Sequence, residues 1–343
     1  MLAFSCPLCA HLVTFQSVLC LNCGSRLGFD ASARTMRAVA DASDGLLCAN
    51  AELAGCNWLA ALPDGVCASC ALTRTRPADS AGEELGRFAE AEAAKRWLLF
   101  ELGDLGLPIH SWRERDGGLA FDLLSSCGEP VTTGHADGVI TLDLAEADPA
   151  SREPRRVQLE EPYRTVLGHL RHEVGHYYQP ILVSSGSQDE TRMRELFGDE
   201  RTDYRQALDA HYADGAPENW RESYVSAYAA AHPWEDWAES FAHYLHIRDT
   251  LQTAAAYGVT VAGPSIALAD EAPLGAEPLD PLDDVDRALD SWIPMTFALN
   301  QISRSMGLPD TYPFLLPLPA LEKLRFIGRL VAQAAAAPTA DSL

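Results

Sequence analysis

Apolar residues from Glu83 to Leu102 recur at helical spacing, with Phe88, Trp97, Leu98 and Leu102 as core contacts, and predict a long helix. The pattern then changes period. Leu119–Leu124 reads as one strand and Gly138–Leu144 as another, with Val139, Thr141 and Asp143 alternating against Ile140, Leu142 and Leu144. Gly134–Gly138 reads as the turn between strands. A helical stripe of Leu167, Leu170 and Val174 predicts a helix from Tyr163 to Tyr178, with Pro162 at its first position and Pro180 as its stop. Further helices are expected near 189–212, 218–230, 234–254, 284–306 and 319–336. The acidic, proline-rich stretch 263–283 is expected to be a surface excursion, and the alanine-rich end is expected to fray. A few strands followed by a run of helices define an α+β protein, mainly helical with a small sheet.

Composition narrows the class. With 343 residues, 47% of them hydrophobic, the chain is long enough for two or more domains with a full core. No apolar run of about 18 residues predicts a membrane span. The first ten residues lack a basic segment and meet a cysteine pair at once, so the expected location is the cytoplasm. Net charge is −23, and Lys95 and Lys323 are the only lysines. Such a field repels nucleic acid.

Eight of the nine cysteines lie before residue 71. Without a secretory signal, paired cysteines point to metal rather than disulfides. Cys6, Cys9, Cys20 and Cys23 form CxxC…CxxC with a short insert, the spacing of a zinc ribbon that holds one structural Zn²⁺ with four thiolates. Cys48, Cys56, Cys67 and Cys70 form a second candidate structural site, although its first half lacks the CxxC spacing. Cys127 stands apart and is expected to be a buried free thiol. Thr73–Gly82 reads as a linker, so the expected domains are a cysteine-rich module over 1–76 and a second domain over 80–337.

The segment His172-Glu173-Val174-Gly175-His176 is an HExxH motif. Two histidines four apart share one helix face and can hold one catalytic Zn²⁺, with Glu173 placed as general base toward a water on the ion. A catalytic zinc takes three protein ligands. The helix after His232-Pro233 offers Glu235 and Glu239, also four apart, one to ligate and one to support a ligand imidazole. Glu195, in Glu195-Leu-Phe-Gly-Asp199, is a rival third ligand, and Glu239 another; with Glu235 as the ligand, Asp199 or Glu200 would orient a ligand or line the cleft. His169, His243 and His246 are expected to be structural.

This combination resembles the gluzincins, in which HExxH is followed by a helix bearing ExxxD or ExxxE. The resemblance implies Glu235 as ligand and Glu239 as its support. The long interval between the helices looks like the lethal-factor and Mlc-titration-factor branch, which implies that Tyr228 faces the developing oxyanion. By the same analogy, the strand Gly138–Leu144 would edge the cleft and pair with an extended peptide. The stretches EPYRTVLGHLRHEVGHYY, ELFGDERTDY and HPWEDWAESFAHYLHIRDTL, with the ribbon, are similar to a family of bacterial zinc-binding metallopeptidases with an N-terminal zinc ribbon.

The expected activity is zinc-dependent peptide hydrolysis. Its partners would be a peptide or protein substrate and a protein that docks on the ribbon. One alternative is a zinc-stabilised interaction scaffold, against which Glu173 argues, since a structural site needs no general base. The other is a nucleic-acid-binding regulator, against which the scarcity of Lys and Arg in residues 1–30 argues.

Overall fold

The computed structural model describes residues 1–39, 46–126, 130–148, 150–152, 165–261 and 285–336. Cys127, Pro162, the 263–283 stretch and the last seven residues lie outside this set. The described chain forms two compact units. One comprises 1–104 and 108–170, and the other 105–107 and 171–336.

The first unit opens with two antiparallel hairpins, β1 (Phe4–Ser5) with β2 (Leu12–Val13) and β3 (Arg26–Asp30) with β4 (Thr35–Val39). A short helix, α1 (Ala68–Ala71), leads into β5 (Thr73–Thr75). The long helix α2 spans Glu83–Asp104, as its apolar spacing predicts. The hairpins do not stand alone. Phe15 and Phe29 lie 5.0 and 5.7 Å from Phe100 of α2, ring centre to ring centre, and Trp58 closes the cluster 5.3 Å from Phe29. So few residues cannot bury a sufficient core by themselves, and the aromatic side chains of α2 complete it.

A four-stranded sheet follows in the order β5-β6-β8-β7, with β6 at Ala120–Leu124, β7 at Gly134–Ala136 and β8 at Val139–Asp143. β5, β6 and β8 are parallel, and β7 runs antiparallel to β8. Two expectations change here. Residues 73–75, read as the start of a linker, form a strand whose hydrogen bonds come from β6; local polarity gives no sign of a partner so distant in sequence. Of the expected turn 134–138, only Asp137 and Gly138 turn, with φ of 48° and 84°, while 134–136 pair with β8. Positive φ at both central residues marks the tight hairpin that Asp-Gly favours. The same pairing corrects the expectation of β8 as a free edge. Its residues 139–143 pair with β6 on one side and 139–141 with β7 on the other, so its backbone is already engaged.

The next helix, α3 (Val166–Leu182), belongs to the second unit from Arg171 on and continues two residues past Pro180. The proline sits in the last turn, where its missing N–H costs one bond and little remains of the helix to kink. The expected helix 189–212 is two helices, α4 (Gln188–Phe197) and α5 (Tyr204–Asp214), parted at Gly198 with φ of 99°. The expected helix 218–230 is instead two single 3₁₀ turns, Trp220–Glu222 and Tyr228–Ala230. The rest follows the periodicity: α6 (Pro233–Ala256), α7 (Val285–Ser305) and α8 (Leu318–Ala336). Among the described residues, no helix is long and apolar enough to cross a membrane.

Both lysines are buried, one in each unit. Lys95 lies 2.6 Å from Glu92 and donates to Thr73, which ties α2 to β5. Lys323 of α8 lies 2.6 Å from Asp236 of α6, donates to the Ser223 carbonyl at 3.0 Å and sits over the Tyr224 ring. A buried ion pair stripped of one partner leaves an uncompensated charge, which costs about 3–5 kcal/mol. Lys323→Met is therefore expected to lose that much in urea unfolding. The double variant Asp236→Asn/Lys323→Met is expected to recover most of it.

Candidate metal centres

Among the described residues, three clusters of metal-binding side chains form. In each, the donor atoms lie within 4.8 Å of one another.

Cys6, Cys9, Cys20 and Cys23 form the first. Each CxxC closes a tight knuckle. Ala10 N–H donates to the Cys6 carbonyl and Gly24 N–H to the Cys20 carbonyl, both at 2.9 Å, and Ala10 and Gly24 take the positive φ these turns need. The Cys6–Cys23 and Cys9–Cys20 sulfur separations are 3.7 and 3.6 Å. Four thiolates at about 2.3 Å around a tetrahedral zinc would stand about 3.8 Å apart, whereas a disulfide needs about 2.0 Å. Cys48, Cys56, Cys67 and Cys70 form the second, with Cys56 at 3.6 Å from Cys67 and 3.8 Å from Cys70. Here Cys67 caps α1, and its N–H donates to the Cys48 sulfur at 3.3 Å. The second centre is wholly buried, while Cys23 of the first is exposed.

The third cluster is His172, His176 and Glu235. α3 presents the two imidazoles one turn apart, with ring centres 4.9 Å apart. Glu235 comes from the first turn of α6, where the helix dipole favours a carboxylate. His232 caps that helix, accepting from Trp234 N–H at 3.0 Å, and Pro233 starts it. Gly175, inside the HExxH segment, brings the two helices together. A Cβ at this position would lie 3.0 Å from Ala238 Cα and 3.1 Å from Phe241 Cβ. Trp237 Nε1 donates to the Gly175 carbonyl across the crossing at 2.9 Å, and the Tyr178 and Phe241 rings stack beside it.

Glu235 Oε2 lies 3.0 Å from His172 Nε2 and 3.5 Å from His176 Nε2. Ligands at about 2.05 Å in a tetrahedron stand about 3.3 Å apart. His172 Nδ1 lies 2.8 Å from Glu239 Oε1, and a carboxylate only accepts, so Nδ1 carries the hydrogen. In neutral imidazole, Nε2 then turns a lone pair toward a carboxylate oxygen, a contact that calls for positive charge between them. Glu239 is held in turn by Ser226, whose hydroxyl donates to Oε2 at 2.5 Å. Burial disfavours charge on both partners. Even so, His172 is pushed well above its ordinary pKa by Glu235 and Glu239, and Glu239 is lowered to about 2 by His172. These donors fit a divalent zinc ion.

Glu173 is buried, and burial raises its pKa, partly offset by the two histidines. Tyr228 lies on its 3₁₀ turn with its ring 5.9 Å from that of His172, and burial and then Glu235 keep its hydroxyl protonated. Tyr204, at the start of α5, was not singled out by sequence. Its hydroxyl donates to Glu235 Oε1 at 2.6 Å. The one available signal was its place at the end of ELFGDERTDY, just after the helix-capping Asp203.

The other acids and histidines lie elsewhere. Glu195 is exposed and pairs with Arg192 at 2.9 Å. Asp199 pairs with Arg201, and Glu200 with Arg194. Glu200 also borders a cavity of about 70 Å³ beside Met193, Phe197, Pro233 and Trp234. His169 lies 4.0 Å from Glu146. His243 accepts or donates at 2.6 Å with the Tyr312 hydroxyl, and burial lowers its pKa to about 4. His246 Nδ1 lies 2.9 Å from Arg171 Nη1, which is bound to Asp249 at 2.8 Å through its other nitrogen.

The family described as "Putative zinc-binding metallo-peptidase" matches residues 84–330, and a zinc-ribbon domain matches residues 3–81. The chain belongs to that metallopeptidase family and carries an N-terminal zinc ribbon. It is 50% identical over 335 residues, 97% of its length and 96% of theirs, to uncharacterized proteins of Mycobacterium tuberculosis and Mycobacterium bovis. No solved structure matches.

Metal analysis of the purified chain is expected to give three zinc ions. Cys20→Ser, Cys56→Ser and His172→Ala should each lose one. Gly175→Val adds a branched side chain where even a Cβ is tight. It is expected to push α6 from α3, lower thermal stability by about 1–3 kcal/mol and weaken the third zinc, read by melting and by metal count.

Proposed function

We propose that the protein is a zinc-dependent peptidase of the gluzincin type, cutting peptide bonds in a peptide or protein substrate. The observation that carries this reading is a contrast within one chain. Two cysteine clusters offer four donors each, as structural zinc sites do, while the His172, His176 and Glu235 cluster offers three, as catalytic sites do.

A bound zinc ion acidifies its water and polarises the scissile carbonyl. The remaining work falls to side chains. Glu173, one residue from His172 and with its carboxyl pKa raised by burial, takes the proton from the attacking water and passes it to the leaving amine. Tyr228 keeps its hydroxyl proton and donates a hydrogen bond to the oxyanion as it forms, which contributes about 3 kcal/mol in comparable sites. Glu239, held by Ser226, fixes the His172 tautomer so that Nε2 is the ligand atom. Glu235 offers Oε2 to the metal. The interval between α3 and α6 supports placement in the lethal-factor branch.

The cavity walled by Met193, Phe197, Pro233 and Trp234 suits an apolar substrate side chain. A protein partner at the ribbon is supported by Leu8 and Leu21, 69% and 90% exposed in its two knuckles. Eight cysteines without a disulfide suit a reducing cytoplasm.

Digestion of an unbiased peptide library, read by mass spectrometry, tests the activity. The wild-type chain is expected to yield defined cleavages. Glu173→Gln should keep its full zinc count and lose about 10²–10⁴-fold in rate. Undiminished turnover by that variant would remove Glu173 from the mechanism.

A further inference from the structure

The two oxygens of Glu235 have different surroundings. Oε2 faces the Nε2 atoms of His172 and His176, and Oε1 accepts the Tyr204 hydroxyl at 2.6 Å. We infer that Tyr204 is a positioning residue that holds Glu235 to one-oxygen ligation and so sets how firmly the third zinc is retained. This inference rests on the proposed role of Glu235 as a zinc ligand.

A carboxylate with both oxygens free can swing to chelate a metal through the pair, taking up space that a water molecule needs. A phenol fixed on one oxygen opposes that rotation and leaves the other as the sole donor. Hydrogen bonds to a ligand from beyond the metal typically change metal affinity by about 10–100-fold. Tyr204 is well placed for the task. Its ring lies 5.2 Å from His232, the cap of α6, and 6.2 Å from Trp234, so it grips both neighbours of the turn that carries Glu235.

The helix that supplies it is unusual. α5 has no buried side chain among its eleven residues, from Tyr204 to Asp214. Its start is fixed by Asp203, which accepts from Gln206 N–H at 3.0 Å, and not by core packing. Ala207, Leu208 and His211 of α5 are half-buried and none is fully so, so core packing accounts for little of the placement of Tyr204. Its hydroxyl makes two specific bonds, one to Glu235 and one with Tyr228.

Zinc transfer from the loaded, full-length protein to a chromophoric chelator tests the inference without any substrate. Release is expected in resolvable phases, and His172→Ala identifies the phase of the third site by losing it. Tyr204→Phe should speed that phase about tenfold or more and leave the cysteine-bound phases unchanged. Unchanged release from Tyr204→Phe would overturn the role of Tyr204 while leaving the zinc site in place. Faster release from all three sites alike in Tyr204→Phe would assign Tyr204 to the fold instead. If His172→Ala kept every phase, the proposed zinc site itself would fall, and the role of Tyr204 with it.

Discussion

The close crossing of α3 and α6 at Gly175 is the contact on which the third centre depends. HExxH delivers two imidazoles from one helix, but the carboxylate beside them comes from a helix that begins 57 residues after His176. Glycine lets the α6 backbone approach to a distance at which any Cβ would be crowded by Ala238 and Phe241. Trp237 then locks the crossing with its hydrogen bond to the Gly175 carbonyl, and the burial of a side chain such as Phe241 contributes about 1.5–3 kcal/mol. Side-chain chemistry is thereby set by a backbone distance.

Electrostatics follows from that packing. Glu173, Glu235 and Glu239 crowd a buried region, and all three lie within range of His172. Taking carboxylates out of water is costly unless opposite charge accompanies them. His172 bears the attraction of Glu235 on one ring nitrogen and Glu239 on the other, and His176 also faces Glu235, so a divalent ion among these donors relieves the strain that burial creates. The chain deals with its two lysines by the same rule. Each is buried against its own carboxylate, so the surface positive charge is left to arginine.

Much of this was legible along the chain. Ligand types and spacings are local, so both cysteine sets, HExxH and the Glu235/Glu239 pair stood out in the sequence. Periodicity located α2, α6, α7 and α8 closely because amphipathic stripes are also local. It failed where the deciding partner was remote. Thr73–Thr75 became a strand through β6, and residues 134–136 became one through β8. The break between α4 and α5 rests on the positive φ of Gly198, where Pro233 packs against the glycine. Tyr204 escaped notice because an exposed tyrosine at the start of a polar helix carries no pattern of its own.

By itself, then, the sequence determined the chemistry on offer: eight thiols in two sets of four, two histidines one turn apart on one helix with a glutamate between them, and two acids one turn apart on another. Covalent spacing and helix geometry are enough for that. Only the tertiary structure decided which acid meets the histidines, which oxygen of it faces them, and which hydroxyl holds the other. Those choices depend on how closely two helices pack and on which side chains burial leaves facing one another, and neither is written at any single position.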